Sequence, residues 1–69
     1  MGIKVENRLR ELRKKKGSTQ EQLATELGVT RQTVISIERG EYIPTTGLSL
    51  RIAKYFNTQV EKIFWLAGN

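Results

Sequence analysis

Two threonines stand on either side of one glycine in the middle of this chain, and that arrangement leaves little choice of fold. Thr19 has the side-chain oxygen that a helix N-cap needs, and Gln22, at the N3 position, completes a capping box. Leu23, Ala24 and Leu27 then share one helical face, and Gly28 permits the positive φ at which a helix turns off. Thr30 caps a second short helix with Val34 and Ile37 inward and Gly40 as its stop. Leu23, Leu27, Val34 and Ile37 can close a small core between two steeply crossing helices. Ala24 is small where the two would pass closest, and Val29 plugs the corner. A helix-turn-helix over about residues 20–39 meets all of these packing needs at once.

The flanking segments read as helices too. From about Val5 to Lys16, Val5, Leu9 and Leu12 fall on one face, Arg13 to Lys16 meet the negative end of the macrodipole, and Gly17 ends the run. Thr45 caps a fourth helix from about Thr46 to Phe56, with Ile52, Ala53 and Phe56 inward, joined by Leu48 or Ser49 according to its rotation. A fifth, from about Val60 to Leu66, presents Ile63 and Phe64. The β-branched cluster Thr33 to Ile37 lies inside a capped helical pattern, so no strand is expected. The expected fold is all-α, a compact five-helix domain spanning residues 1–69.

Composition excludes much chemistry. The chain has 69 residues, no Cys and no His, and all its acidic residues are Glu. A chain of this size buries only about 60% of its unfolded surface, so its core is thin. Without Cys, His or Asp there is no thiol nucleophile, imidazole base, Ser–His–Asp triad or usual metal-ligand cluster. No enzyme, cofactor, metal or small-molecule ligand is expected. No apolar run approaches the ~20 residues needed to span a bilayer, and Met1 to Glu11 lacks the apolar stretch of a signal peptide. A cytoplasmic protein with no membrane partner is expected. The net charge of +5 sits on the first element, where Lys4, Arg8, Arg10, Arg13, Lys14, Lys15 and Lys16 face only Glu6 and Glu11. Such a field attracts polyanions.

The stretch TQEQLATELGVTRQTVISIERGEYIP resembles the Xre-type helix-turn-helix family, which includes the phage repressors and Cro proteins. The likeness runs from NRLRELRKKKG through LRIAKYF to VEKIFWL, nearly the whole chain. It implies a lambda repressor-like domain whose third helix enters the major groove of double-stranded DNA, usually as a homodimer on a palindromic operator, in transcriptional control. The sequence departs from the family at Ser18 and Thr46, where Leu is common, and at Thr58 and Gln59 before the fifth helix. These changes thin the core without touching the reading surface.

With Val34, Ile37 and Glu38 inward, an advance of about 100° per residue turns Gln32, Ser36 and Arg39 outward. Ile35 flanks them, and Thr30 and Arg31 stand at the entering end. The resemblance puts base-reading and phosphate positions on the same set. Gln suits adenine N6 and N7, Arg forks onto guanine, and Ile35 can meet a thymine methyl. Thr30, Arg31, Gln32, Ile35 and Ser36 are the expected base readers. Arg39, at the far end, is expected on a phosphate, with Gln20 at the second helix's N-terminus and Arg10, Lys14 and Arg8 on the basic face. The resemblance also allows the Gln20 side chain to brace Gln32 or the backbone, and it pairs Arg13 with Glu38 in a bridge that locks the first helix against the third.

Tyr42 and Ile43, in the loop after the reading helix, and Trp65 and Leu66, which cannot both face the core, are the dimer candidates. The favoured function is a dimeric repressor, with activation through polymerase contact as the opposite sign of regulation. The competing class is an antitoxin-like protein that binds a partner protein as well as DNA. RNA binding ranks lower, because the aromatics all lie from Tyr42 onward, away from the basic face.

Overall fold

The computed structural model describes residues 4–68. Its elements run β1 (Lys4–Asn7), α1 (Leu9–Lys16), α2 (Gln20–Leu27), α3 (Arg31–Glu38), α4 (Thr46–Tyr55), a 3-10 turn (Val60–Lys62) and β2 (Phe64–Ala67). Among the described residues the fold is mostly helical, with four α-helices and a two-stranded antiparallel sheet in place of the expected five helices.

The helix-turn-helix is built by its caps. Thr19 Oγ1 accepts from the Gln22 N–H at 3.0 Å while Gln22 Oε1 accepts from the Thr19 N–H at 2.9 Å, closing the capping box. Thr30 and Thr45 accept from the N–H groups of Thr33 and Leu48, both at 3.2 Å. Gly28 takes a φ of +72°, and the N–H groups of Gly28 and Val29 reach back to the carbonyls of Thr25 and Ala24. That closure satisfies two carbonyls at the end of α2 and sets the entry of α3.

Leu9, Leu23, Val34, Ile37, Ile52 and Ile63 are all fully buried and form one core with Ala24, Leu27, Leu48, Ala53 and Phe64. Leu48, not Ser49, is the inward residue at the start of α4. Phe56 lies at the core margin, edge-on to Tyr55 with ring centroids 4.9 Å apart. Ser18, polar where the family commonly has Leu, is 3.3 Å from the Tyr55 hydroxyl, so its hydroxyl is satisfied at the core edge.

Two expectations fail at the ends of the chain. The first helix begins at Leu9, not near Val5, and residues Lys4–Asn7 are extended. The Asn7 side chain explains the boundary: its Oδ1 accepts from the Leu9 N–H at 3.0 Å, and its Nδ2 donates to the Ile37 carbonyl at 2.9 Å. Asn at this position offers the backbone an alternative to a further helical turn. The expected fifth helix is a single 3-10 turn followed by β2. Gln59 provides no side-chain cap, and Phe64–Ala67 pair instead with β1, in the register Lys4↔Ala67, Val5↔Leu66, Glu6↔Trp65 and Asn7↔Phe64. Aromatic residues fit a pleated, half-buried surface well, and a chain segment that cannot nucleate a helix takes the available partner.

Candidate nucleic-acid interface

The outward surface of α3 follows from what that helix buries. Val34 and Ile37 are fully buried, so the opposite ridge is turned outward. Arg31, Gln32 and Arg39 are exposed, and Ile35 and Ser36 are half-buried beside them. Gln32 Nε2 lies 3.4 Å from Ser36 Oγ, one turn along the same face, at the weak limit of a hydrogen bond. Thr30 is exposed at the entering end, its hydroxyl engaged with Thr33 at 3.0 Å and with the cap.

Two grooves run beside this ridge. One is lined by Arg10, Arg13, Gln20, Arg31, Ile35, Glu38 and Arg39. The other is lined by Val29, Thr30, Gln32, Thr33, Ser36, Tyr42 and Leu48. The first is strongly basic. Its one carboxylate, Glu38, is matched by Arg13 at 2.6 Å, while Arg10, Arg31 and Arg39 enter no ion pair among the described residues. Three cations from two helices therefore converge on one concavity, an arrangement suited to polyanion oxygens.

Glu38 ties α3 to α1 and to the start of α2. Its side chain is only 4% exposed, and that of Arg13 only 10%. Arg13 Nε donates to Glu38 Oε2 at 2.6 Å, Nη2 to Oε1 at 3.3 Å, and Nη1 to the Ser18 carbonyl at 2.9 Å. Gln20 Nε2 donates to Glu38 Oε1 at 3.1 Å. The brace from Gln20 thus runs to Glu38, not to Gln32 or the backbone. One carboxylate on α3 is held by α1 and by the first residue of α2.

The remaining candidates separate. Lys14 borders a different groove, with Arg8, Arg10, Glu11 and Trp65. Arg8 stacks its guanidinium 4.9 Å from the centroid of the Trp65 ring, which commits it to the sheet. Lys16 lies 4.1 Å from the Tyr55 ring and donates to the Tyr55 carbonyl at 3.3 Å, tying the end of α1 to the end of α4. The four dimer candidates do not form one patch. Tyr42 sits beside Gln32 and Ser36, Ile43 lies across a groove from Val5, and Trp65 and Leu66 are on β2. Tyr42 is a neighbour of this ridge that the sequence does not reveal. The signal for its position is structural: the N–H groups of Glu41 and Tyr42 both return to the Ser36 carbonyl, folding the loop back along α3.

Comparison with known proteins agrees with this geometry. A helix-turn-helix family model matches residues 9–63. The chain is 47% identical over 62 residues to the uncharacterized HTH-type transcriptional regulator YgzD of Bacillus subtilis, covering 90% of this chain and 94% of the relative. It is also 47% identical over 60 residues to the uncharacterized regulator MJ0272 of Methanocaldococcus jannaschii, covering 87% and 91%. Among solved structures, the restriction-modification controller protein C.AhdI of Aeromonas hydrophila superposes with a TM-score of 0.71 at 35% identity over 78% of each chain. No helix among the described residues is long and apolar enough to cross a membrane. The chain belongs to the Xre/Cro-like helix-turn-helix family of DNA-binding transcriptional regulators.

Proposed function

We propose that this protein is a cytoplasmic repressor that reads double-stranded DNA sequence with α3 in the major groove, as a homodimer on an inverted-repeat operator. The observation that carries the reading is the ridge of α3, with Arg31 and Gln32 exposed beside a groove that gathers Arg10, Arg31 and Arg39. Gln32 offers one donor and one acceptor in a single plane, the pattern adenine presents at N7 and N6, and Arg31 matches guanine O6 and N7. Ile35 supplies apolar surface for a thymine methyl, and Ser36 and Thr30 add less selective hydroxyl contacts. Arg39 and Arg10 hold phosphates across the basic groove, and Lys14 adds a longer-range cation. Gln20 acts through Glu38, and the positive end of α2 stands behind it. With an overall length of only 35 Å, one copy covers about one turn of duplex, and a two-fold pair covers half-sites ~34–36 Å apart.

Selection of bound sites from a random duplex pool tests the reading. A short consensus repeated about a two-fold axis is expected, and Gln32→Ala is expected to lose preference at one base position per half-site. An unchanged consensus and unchanged discrimination for Gln32→Ala, or no enrichment by the wild type, would refute it.

A further inference from the structure

In the sequence the aromatics lie far from the basic first element, but the fold brings one of them there. β2 pairs with β1 so that Trp65 stands opposite Glu6, close to the start of α1. Arg8, directly before α1, lays its guanidinium over the Trp65 ring, 4.9 Å from the centroid, and is exposed even so. Both line a groove with Arg10, Glu11 and Lys14, all three exposed. None of these charged groups enters an ion pair among the described residues, and the groove's second carboxylate, Glu38, is already matched by Arg13. Arg10 and Glu38 also border the basic groove beside α3. The two concavities therefore adjoin, and one cationic track runs from Arg39 past Arg10 to Lys14.

We infer that this groove is a binding site for single-stranded nucleic acid, with one base stacked on an Arg8–Trp65 platform. A phosphate needs only charge, which Lys14 supplies as a point cation. Arg8 differs, because the indole holds its guanidinium as a flat, pre-ordered face. Guanidinium planes and aromatic rings take unpaired bases by stacking. Glu11 selects in the same direction: a carboxylate accepts hydrogen bonds only, so it repels a phosphate and suits the N–H edge of a base. In a duplex the bases stack on one another and their pairing N–H edges are occupied, whereas a single strand leaves both free. Flanking phosphates then fall to Arg10 and Lys14. The track spans α3, α1 and β2, a path that a flexible strand follows freely and a duplex only by costly bending. RNA and single-stranded DNA share this chemistry. Because Arg10 borders both grooves, a strand on the platform and a duplex on α3 compete for one cation.

This site goes beyond the duplex reading and stands without it. Anisotropy of labelled thymidine and uridine oligomers of about 12 nucleotides, with the emission of the single Trp, tests it. The wild type is expected to bind and its Trp65 emission to be quenched in step; binding by either oligomer supports the site, and a preference between them assigns the sugar. Arg8→Lys keeps the charge and loses the plane, and is expected to weaken binding at least about fivefold at an unchanged salt slope. Lys14→Ala is expected to lower the log–log salt slope by about 0.7, the value per phosphate for a single strand. Trp65→Leu is expected to match Arg8→Lys, and the two together to lose no more than either alone, since ring and guanidinium form one platform. Lys62→Ala, at an exposed cation that borders neither groove, is the control and is expected to keep the wild-type affinity. Wild type that binds neither oligomer, unmoved Trp65 emission on binding, Arg8→Lys that binds as tightly as the wild type, or an equal loss with Lys62→Ala would overturn the site. So would an equal loss by Arg8→Lys on random-sequence duplex, which would assign the groove to duplex phosphates. Oligomers that bind as expected while no duplex sequence is preferred would support the site and overturn the duplex reading alone.

Discussion

Arg13→Ala isolates the role of the bridge between α1 and α3. The substitution removes three donors at once: two to Glu38, at 2.6 and 3.3 Å, and one to the Ser18 carbonyl, at 2.9 Å. It leaves a carboxylate whose side chain is 4% exposed with only the Gln20 amide at 3.1 Å. Breaking a buried pair from one side typically costs about 3–5 kcal/mol, because the stranded charge keeps its desolvation penalty. A domain of 69 residues has roughly 3–10 kcal/mol in total, at about 0.05–0.15 kcal/mol per residue. The expected fall in Tm is roughly 12–40 °C, taking about 4–8 °C per kcal/mol for a domain of this size. Thermal and urea unfolding followed by circular dichroism at 222 nm, the usual helix wavelength, measure it. The paired variant Arg13→Leu with Glu38→Leu removes both charges and is expected to recover most of the loss. If Arg13→Ala melted within about 3 °C of the wild type, well under 1 kcal/mol by the same conversion, the bridge would not hold α3 in place.

Three further outcomes follow from the geometry. Arg39→Ala is expected to weaken binding to all duplexes alike and to reduce the log–log salt slope by about 0.9, whereas Arg31→Ala is expected to relax preference at one base; titrations at several salt concentrations separate them. Gly28→Ala is expected to cost about 1–2 kcal/mol in urea unfolding through its φ of +72° alone, since the added Cβ would sit 3.6 Å from Arg51 Nη1, an ordinary contact. Tyr55→Phe and Ser18→Ala are each expected to cost about 1 kcal/mol and to be less than additive in combination, because they remove the same hydrogen bond.

The helix-turn-helix was legible in the sequence because every signal for it is local. Thr19, Gln22, Gly28 and Thr30 act within one turn of their own position, and the buried faces of α2 and α3 repeat at helical spacing. The outward ridge of α3 followed from the same periodicity. The sheet was not legible, because neither of its strands is marked within its own segment. Val5 and Leu9 are spaced as on a helix face, and Val60 to Leu66 also fits one, yet Lys4–Asn7 and Phe64–Ala67 are extended through each other, at opposite ends of the chain. The direction of the Gln20 amide was likewise hidden, since it depends on where Glu38 comes to rest once α3 has packed. Ser18, which reads as a lost core contact, finds a hydroxyl from α4 that no local pattern places beside it.

The β1–β2 pairing also bears on how the molecule is made. Every contact within α1 to α4 can form before Phe64–Ala67 emerge from the ribosome, and Lys4–Asn7 wait for that strand, so the clasp closes after the helices can pack. Until then, the stretch that holds Asn7 against Ile37 has no strand partner, and the end of α3 is anchored from α1 and α2. A nascent chain, or one cut before Phe64, would present the outward ridge of α3 before, or without, that restraint.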